Sequence, residues 1–217
     1  MKVIEPKAEI LCPVLTKEAI DSIYRNIEIA GRTCYKSEDK ITDDSARKFV
    51  RALIKSGHEA MIEHASMTVR FTVDRGVSHE LVRHRLASWA QESTRFCSYD
   101  KDKFGNELTV IKPCFWTENT AKYTAWFSAM KAAERYYFDL LEYGAKPEEA
   151  RSVLPNSIKT EVIMTANMRE WRHFFKLRAA GETGKPHPQM LEVTVPLLKQ
   201  CQDLMPELFD DIIIKGE

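Results

Sequence analysis

Residues 158–178 read Ile-Lys-Thr-Glu-Val-Ile-Met-Thr-Ala-Asn-Met-Arg-Glu-Trp-Arg-His-Phe-Phe-Lys-Leu-Arg, and this stretch predicts a strand that leads directly into a helix. Its first nine residues follow a period of two, which is typical of a strand with one buried face. The residues expected on that face are Ile158, Thr160, Val162, Met164 and Ala166. Asn167 is a favourable N-cap for the helix, and Glu170 occupies the partner position of a capping box.

The predicted helix carries an aromatic stripe that ends on an arginine. Trp171, Phe174, Phe175 and Arg178 are spaced as i, i+3, i+4 and i+7, so they share one helix face. One interpretation places the stem of Arg178 over the core and its guanidinium in water. The alternative is an anion pocket, to which four other arginines could contribute: Arg83, Arg85, Arg95 and Arg151.

Two early amphipathic helices are predicted upstream, with Gly31 and Gly57 as their expected ends. Residues 67–73 alternate apolar and polar side chains, which predicts a half-buried strand. Ser78 could cap a helix that continues to about Trp89.

Beyond that helix, the polar residues 91–99 predict a loop. A long helix is expected to end at Gly144, and Pro147 would open a short helix that ends at Pro155. Strands and helices are interspersed without regular βαβ spacing. The sequence therefore predicts the α+β class, with mixed helices and a mainly antiparallel sheet.

Length and composition indicate an ordinary globular protein. A chain of 217 residues predicts a single domain over residues 1–217. Its 32 basic and 32 acidic residues balance, which argues against nucleic acid as a partner. The five scattered cysteines, the absence of an apolar signal core and the absence of a long apolar run favour a cytoplasmic protein without a membrane segment.

Residues 83–95 form the densest cluster of potential ligand-binding groups. They read Arg-His-Arg-Leu-Ala-Ser-Trp-Ala-Gln-Glu-Ser-Thr-Arg. An exposed helix followed by a polar loop would explain Arg83 and Arg85. It explains the hydroxyls and guanidinium of Ser93, Thr94 and Arg95 less well, because these groups suit a phosphate.

Several familiar sites are excluded by spacing. His58 and His64 are six positions apart, so they do not form the His-Glu-x-x-His zinc motif, and no metal site is predicted. Cys114 has no neighbouring feature that would activate it as a nucleophile. The Rossmann glycine pattern and the P-loop are also absent, so a nucleotide cofactor would bind by another route.

The cluster at residues 83–95 resembles the signature of the flavin-dependent thymidylate synthases, Arg-His-Arg-x-x-Ser-x-Asn-x-x-Ser-x-Arg. Every fixed position matches except Ala90, which stands in place of asparagine. The resemblance extends in order from Gly57 to Arg178. It includes the following further matches: Gly57-His58-Glu59, Glu63-His64, Ala150-Arg151, Leu154-Pro155, Asn167, Arg169, Phe174 and Leu177-Arg178.

The resemblance implies a homotetramer with active sites shared between subunits. It also implies binding of FAD, NADPH, deoxyuridylate (dUMP) and 5,10-methylenetetrahydrofolate. The positions implied for the flavin are His58, Ala60, Arg83, His84, Arg85, Gln91, Asn167, Met168, Arg169 and His173. Those implied for the nucleotide are Glu80, Leu81, Val82, Arg83, Gln91, Glu92, Ser93, Thr94, Arg95, Arg151 and Arg178.

The expected reaction is the reductive methylation of dUMP to dTMP. Without a cysteine nucleophile, the uracil ring must be polarised by other means, and Arg178 could stabilise the charge that develops on its N3/O4 edge. Reduced flavin would supply the hydride. The alternatives are another flavin-dependent nucleotide reductase and a nucleic-acid-binding module, which the neutral net charge disfavours.

Overall fold

The computed structural model describes residues 1–99 and 105–214. The strands are β1 (Lys2–Ile4), β2 (Lys7–Cys12), β3 (Ser66–Asp74), β4 (Ala87–Gln91), β5 (Thr109–Ile111) and β6 (Lys159–Asn167). The α-helices are α1 (Lys17–Tyr35), α2 (Ser45–Ser56), α3 (Arg75–Leu81), α4 (Ala121–Glu142), α5 (Pro147–Ala150), α6 (Met168–Arg178), α7 (Pro188–Leu204) and α8 (Pro206–Phe209). Short 3-10 helices cover Glu38–Lys40, Glu59–His64 and Arg151–Val153.

The main sheet has four strands in the order β2-β3-β6-β4. The backbone N–H of Met168 donates to the carbonyl of Ala65 (2.9 Å), and that of Arg75 donates to the carbonyl of Asn156 (2.9 Å). The start of β3 therefore lies beside the end of β6, and the end of β3 lies beside the start of β6. This pair of strands is antiparallel. The α+β class and the antiparallel sheet are confirmed. A second, two-stranded sheet pairs β1 with β5 in parallel.

The chain forms two compact units, each assembled from three separate segments. Unit 1 contains residues 1–7, 71–83 and 90–162. Its core packs aromatic side chains of α4 against β5 and the start of β6. The buried members of that core include Val110, Trp126, Met130, Tyr137 and Ile158. A single domain over residues 1–217 stays a prediction.

Unit 2 contains residues 8–70, 84–89 and 163–217. Its core includes the α6 residues Trp171, Phe174 and Phe175, all fully buried. The apolar stripe of α1 is buried as well. No helix within residues 1–99 and 105–214 is long and apolar enough to cross a membrane.

The β6–α6 stretch forms as predicted. All five residues expected on one face of the strand are buried, and α6 begins directly after Asn167. The side-chain Oδ1 of Asn167 accepts a hydrogen bond from the backbone N–H of Glu170 at 2.9 Å. This bond satisfies one of the amides that the first turn of a helix leaves unpaired, so the cap fixes where α6 starts.

The helix predicted from Ser78 to Trp89 is wrong at both ends. Asp74 is the N-cap of α3, because its carboxylate accepts from the N–H of Val77 at 2.7 Å. The helix ends at Leu81, and residues 87–91 form β4 at the edge of the main sheet. Pairing within a sheet supplies backbone hydrogen bonds that depend on distant residues, so local propensity could not foresee this strand.

Gly31 does not end α1, which continues to Tyr35. A Cβ atom at Gly31 would lie 2.5 Å from the ring of Phe49 in α2. The glycine therefore serves close packing between two helices. The predicted end at Gly57 is confirmed, because Gly57 adopts a left-handed conformation as the C-cap of α2.

We expect Gly31→Ala to destabilise the protein by about 1–3 kcal/mol through overpacking, an effect only partly offset by the roughly 1 kcal/mol gain in helix propensity. Adding Phe49→Leu should recover much of the loss, because it removes the ring atoms that the new methyl group would meet. Urea unfolding of both variants measures this. Equal stability of Gly31→Ala and the parent chain would contradict the packing role.

Candidate active site

The α6 helix of unit 2 positions a buried hydrogen-bonded cluster. Nδ1 of His84 lies 3.0 Å from Oε1 of Glu170, and both side chains are buried (5% and 6% exposed). On the other side of the ring, Nε of Arg178 donates to Nε2 of His84 at 3.2 Å. Glu170 and Arg178 are two turns apart on α6, so both can reach one imidazole.

The two contacts determine the tautomer of His84. A guanidinium has only donors, so Nε2 of His84 must carry the lone pair that accepts from Arg178. The ring proton then resides on Nδ1 and is donated to the Glu170 carboxylate. Burial lowers the pKa of His84, which keeps the imidazole neutral and able to accept. The sequence assigned Glu170 to a capping box, but its carboxylate pairs with His84 instead.

Aromatic neighbours complete the surroundings of His84. The ring of Phe174 meets it edge to face at a centroid distance of 5.0 Å, and His173 meets it at 5.8 Å. His84, Glu170 and His173 also have the ligand atoms of a metal site, within 4.8 Å of one another. Both ring nitrogens of His84 are engaged, however, and the nearby guanidinium of Arg178 opposes a cation. We therefore interpret the group as a hydrogen-bonded cluster.

The other residues assigned to the flavin differ in exposure. His58, Ala60, Arg85, Arg169 and His173 are exposed, whereas the side chain of Met168 is fully buried. Arg169 forms an ion pair of 2.6 Å with Glu63. All of these lie in unit 2, while Arg83 and Gln91 lie in unit 1.

The residues assigned to the nucleotide lie in unit 1, except Arg178. Nε2 of Gln91 donates to Oγ of Ser78 (3.0 Å) and lies 3.3 Å from Oγ1 of Thr160. Gln91 thus ends β4 and does not belong to the predicted loop. Glu92 accepts from Nζ of Lys159 at 2.9 Å; although burial opposes the lysine charge, this hydrogen bond raises the pKa of Lys159.

Residues 93–97 form a turn. The N–H groups of Phe96 and Cys97 both donate to the carbonyl of Ser93 (3.3 and 2.9 Å). Thr94 is buried, and the exposed Arg95 pairs with Glu148 at 2.9 Å.

The remaining nucleotide assignments follow α3 and the 3-10 helix after α5. Glu80 is half-buried and Leu81 fully buried, whereas Val82, Arg83 and Arg151 are exposed. Arg151, Thr94 and Arg75 line one small cavity of unit 1. Sequence reasoning missed Arg75, because a charged residue directly after a strand is a weak local signal.

Glu170 was missed as the partner of His84. The two residues are 86 positions apart, so no local spacing could reveal the contact.

Comparisons with known proteins agree on one family. The Thy1 sequence model, described as "Thymidylate synthase complementing protein", matches residues 18–207. A flavin-dependent thymidylate synthase of Geobacter sulfurreducens is 31% identical over 192 residues, 85% of this chain and 80% of that protein. One of Corynebacterium aurimucosum is 34% identical over 206 residues, 87% of this chain and 79% of that protein.

A solved structure has the same fold. The UMP/dUMP methylase PolB from Streptomyces cacaoi, bound with 5-Br dUMP, superposes with a TM-score of 0.77 at 22% sequence identity. The match covers 97% of this chain and 96% of PolB.

We expect Glu170→Gln to lower the pKa of His84 further, because the carboxylate is the neighbour that most strongly favours the imidazolium. The glutamine carbonyl can still accept from Nδ1, so the tautomer should persist. NMR titration of the histidine ring measures both. Glu63→Gln, which removes a carboxylate from Arg169, is the matched control. An unchanged or higher pKa of His84 would contradict the pairing.

Proposed function

The chain belongs to the Thy1 family of thymidylate synthase complementing proteins, the flavin-dependent thymidylate synthases, and on that premise we propose that it methylates dUMP to dTMP. It is an enzyme of nucleotide biosynthesis. The proposed carbon donor is 5,10-methylenetetrahydrofolate, and the proposed hydride carrier is FAD reduced by NADPH. One carbon bonds to C5 of uracil, C5 loses its proton, and a hydride completes the methyl group as tetrahydrofolate leaves.

The observation that carries the proposal is the Glu170–His84–Arg178 cluster. The Nε–H bond to His84 restrains the plane of the Arg178 guanidinium. A guanidinium is a planar group of donors, so one whose plane is restrained can donate to one edge of a planar ring. Such donors stabilise the negative charge that builds up on the N3/O4 edge of uracil as C5 becomes nucleophilic.

This role for Arg178 substitutes for a cysteine nucleophile. A cysteine of that kind needs a stabilised thiolate. Cys201 is fully buried, and burial raises its pKa to about 12, so its thiol is not activated. Polarisation of the base by an arginine accounts for the chemistry without any thiol.

The donor set of unit 2 suits a flavin dinucleotide. Exposed imidazoles and guanidiniums at His58, Arg85 and His173 can donate to the diphosphate or to the polar edge of the ring system. Asn167 and Arg169 stand at the start of α6, where its first turn favours negative charge. When bound, reduced FAD supplies the hydride, and the protein contributes binding and orientation.

The residues proposed to hold the nucleotide are Gln91, Ser93, Thr94, Arg95 and Arg151. Ser93 and Thr94, in the turn at residues 93–97, contribute hydroxyls of the kind that bind phosphate. Because Arg95 pairs with Glu148, a phosphate must compete with that carboxylate or share the guanidinium with it. The cost is small, since the pair is largely exposed and screened by water.

The assembly and location are further parts of the proposal. The family resemblance supports a homotetramer whose subunits share active sites. The sequence composition supports a location in the cytoplasm.

We expect purified protein to carry FAD and its flavin absorbance to bleach on anaerobic addition of NADPH. With dUMP and methylenetetrahydrofolate added, dTMP should form and be detectable by chromatography. A protein that cannot be loaded with FAD would contradict both flavin-based functions. Bleaching of the flavin absorbance without formation of dTMP would favour another flavin-dependent nucleotide reductase.

We expect Arg178→Ala to reduce turnover by at least about a hundredfold to thousandfold, because it removes the donors that stabilise charge on the base. Flavin absorbance should be retained. Arg25→Ala, which changes an exposed arginine of α1, is the control. Full activity of Arg178→Ala would exclude Arg178 from the mechanism.

A further inference from the structure

A small cavity in unit 1 collects cationic and polar side chains. Its volume is about 270 Å³, and its polar lining consists of Arg75, Thr94, Arg151, Ser152 and Asn156. No carboxylate is among the lining residues within the part of the chain that the structure describes. The volume suits one small anionic group rather than a whole nucleotide.

Arg75 stands out because one of its terminal nitrogens is buried without a hydrogen bond. Within residues 1–99 and 105–214, Nη1 of Arg75 is inaccessible to solvent and has no partner. A buried donor on a charged group is costly when it is unpaired, so native proteins rarely leave one without a purpose.

The backbone of Arg75 is anchored through both its N–H and its carbonyl group. Its N–H donates to the carbonyl of Asn156 at 2.9 Å, and its own carbonyl accepts from Oγ of Ser78 at 2.8 Å. The residue also begins α3, directly after the Asp74 cap. These bonds fix the point from which the side chain extends, and Arg75 lines the cavity, so a ligand held there could satisfy Nη1.

The chemistry of that ligand follows from the lining. Two guanidiniums facing one cavity repel each other when it holds no anion, and a dianion between them reverses this cost. The hydroxyls of Thr94 and Ser152 and the amide of Asn156 add hydrogen-bond donors. Planar guanidiniums with hydroxyl donors are the usual partners of a phosphate.

We propose that Arg75 is a phosphate-binding residue of the nucleotide site and acts with Thr94 and Arg151 on the 5′-phosphate of the substrate. The proposal rests on the function proposed above and adds to it a residue that the family signature does not contain. Arg75 thereby helps to select a nucleotide over the corresponding nucleoside.

We expect Arg75→Gln to weaken dUMP binding about 10- to 100-fold, the effect of losing a charge-assisted bond. Binding of deoxyuridine, which lacks the phosphate, should be unchanged. Arg75→Lys keeps the charge but loses the planar fork, so its affinity for dUMP should lie between those of the parent protein and Arg75→Gln. Calorimetry with both ligands on the FAD-loaded enzyme measures this. Arg151→Gln is the reference for a phosphate contact, and Arg135→Gln the control for an exposed arginine of unit 1.

A thermal melt separates ligand binding from a structural role. Because the variant removes a guanidinium with one buried, unpaired nitrogen, ligand-free Arg75→Gln should melt at or above the temperature of the parent protein. The rise in melting temperature that dUMP produces should shrink. A lower melting temperature in the ligand-free variants, including Arg75→Lys, would indicate a structural arginine and overturn the proposal.

The outcomes also separate this inference from the proposed function. If the parent protein binds dUMP and Arg151→Gln loses affinity while Arg75→Gln does not, only the role of Arg75 fails. If the parent protein binds neither dUMP nor deoxyuridine, the proposed function fails and the role of Arg75 fails with it.

Discussion

The pairing of His84 with Glu170 and Arg178 is the interaction on which the proposed chemistry depends. A buried imidazole must be satisfied at both nitrogens, and here a carboxylate takes one and a guanidinium the other. Each contact constrains the next, since the carboxylate fixes the tautomer and the tautomer fixes the acceptor for Arg178. A side chain with four rotatable bonds is thereby held in one orientation, as catalysis by a positioned charge requires.

The helix that carries this cluster is itself restrained by a second buried charge. Arg172 is 1% exposed and donates to both carboxylate oxygens of Asp211 (2.6 Å each), to the carbonyl of Leu208 and to Glu59 (3.1 Å). A buried guanidinium is tolerated only when its donors are satisfied, so these contacts hold α6 against neighbouring segments of unit 2. Asn167 fixes its first turn. The helix thus presents Arg178 from a rigid base.

Neutral net charge and a local cationic pocket are compatible because the charges are distributed in pairs. Arg95, Arg169 and Arg172 each face a carboxylate. Arg75 differs, since a terminal nitrogen is buried without a partner in the described residues. The balance of charge therefore conceals a site that a count of basic and acidic residues cannot reveal.

The sequence by itself determined the elements whose signals are local. Strand β6, the Asn167 cap and the aromatic stripe of α6 follow from period, cap chemistry and helical spacing, and the residues of the signature identified the family. Tertiary structure alone decided β4, the packing role of Gly31, the partners of His84 and the cavity that Arg75 lines. These depend on residues far apart in the chain, where burial, sheet pairing and unmet hydrogen bonds outweigh local preference, and no periodicity records them.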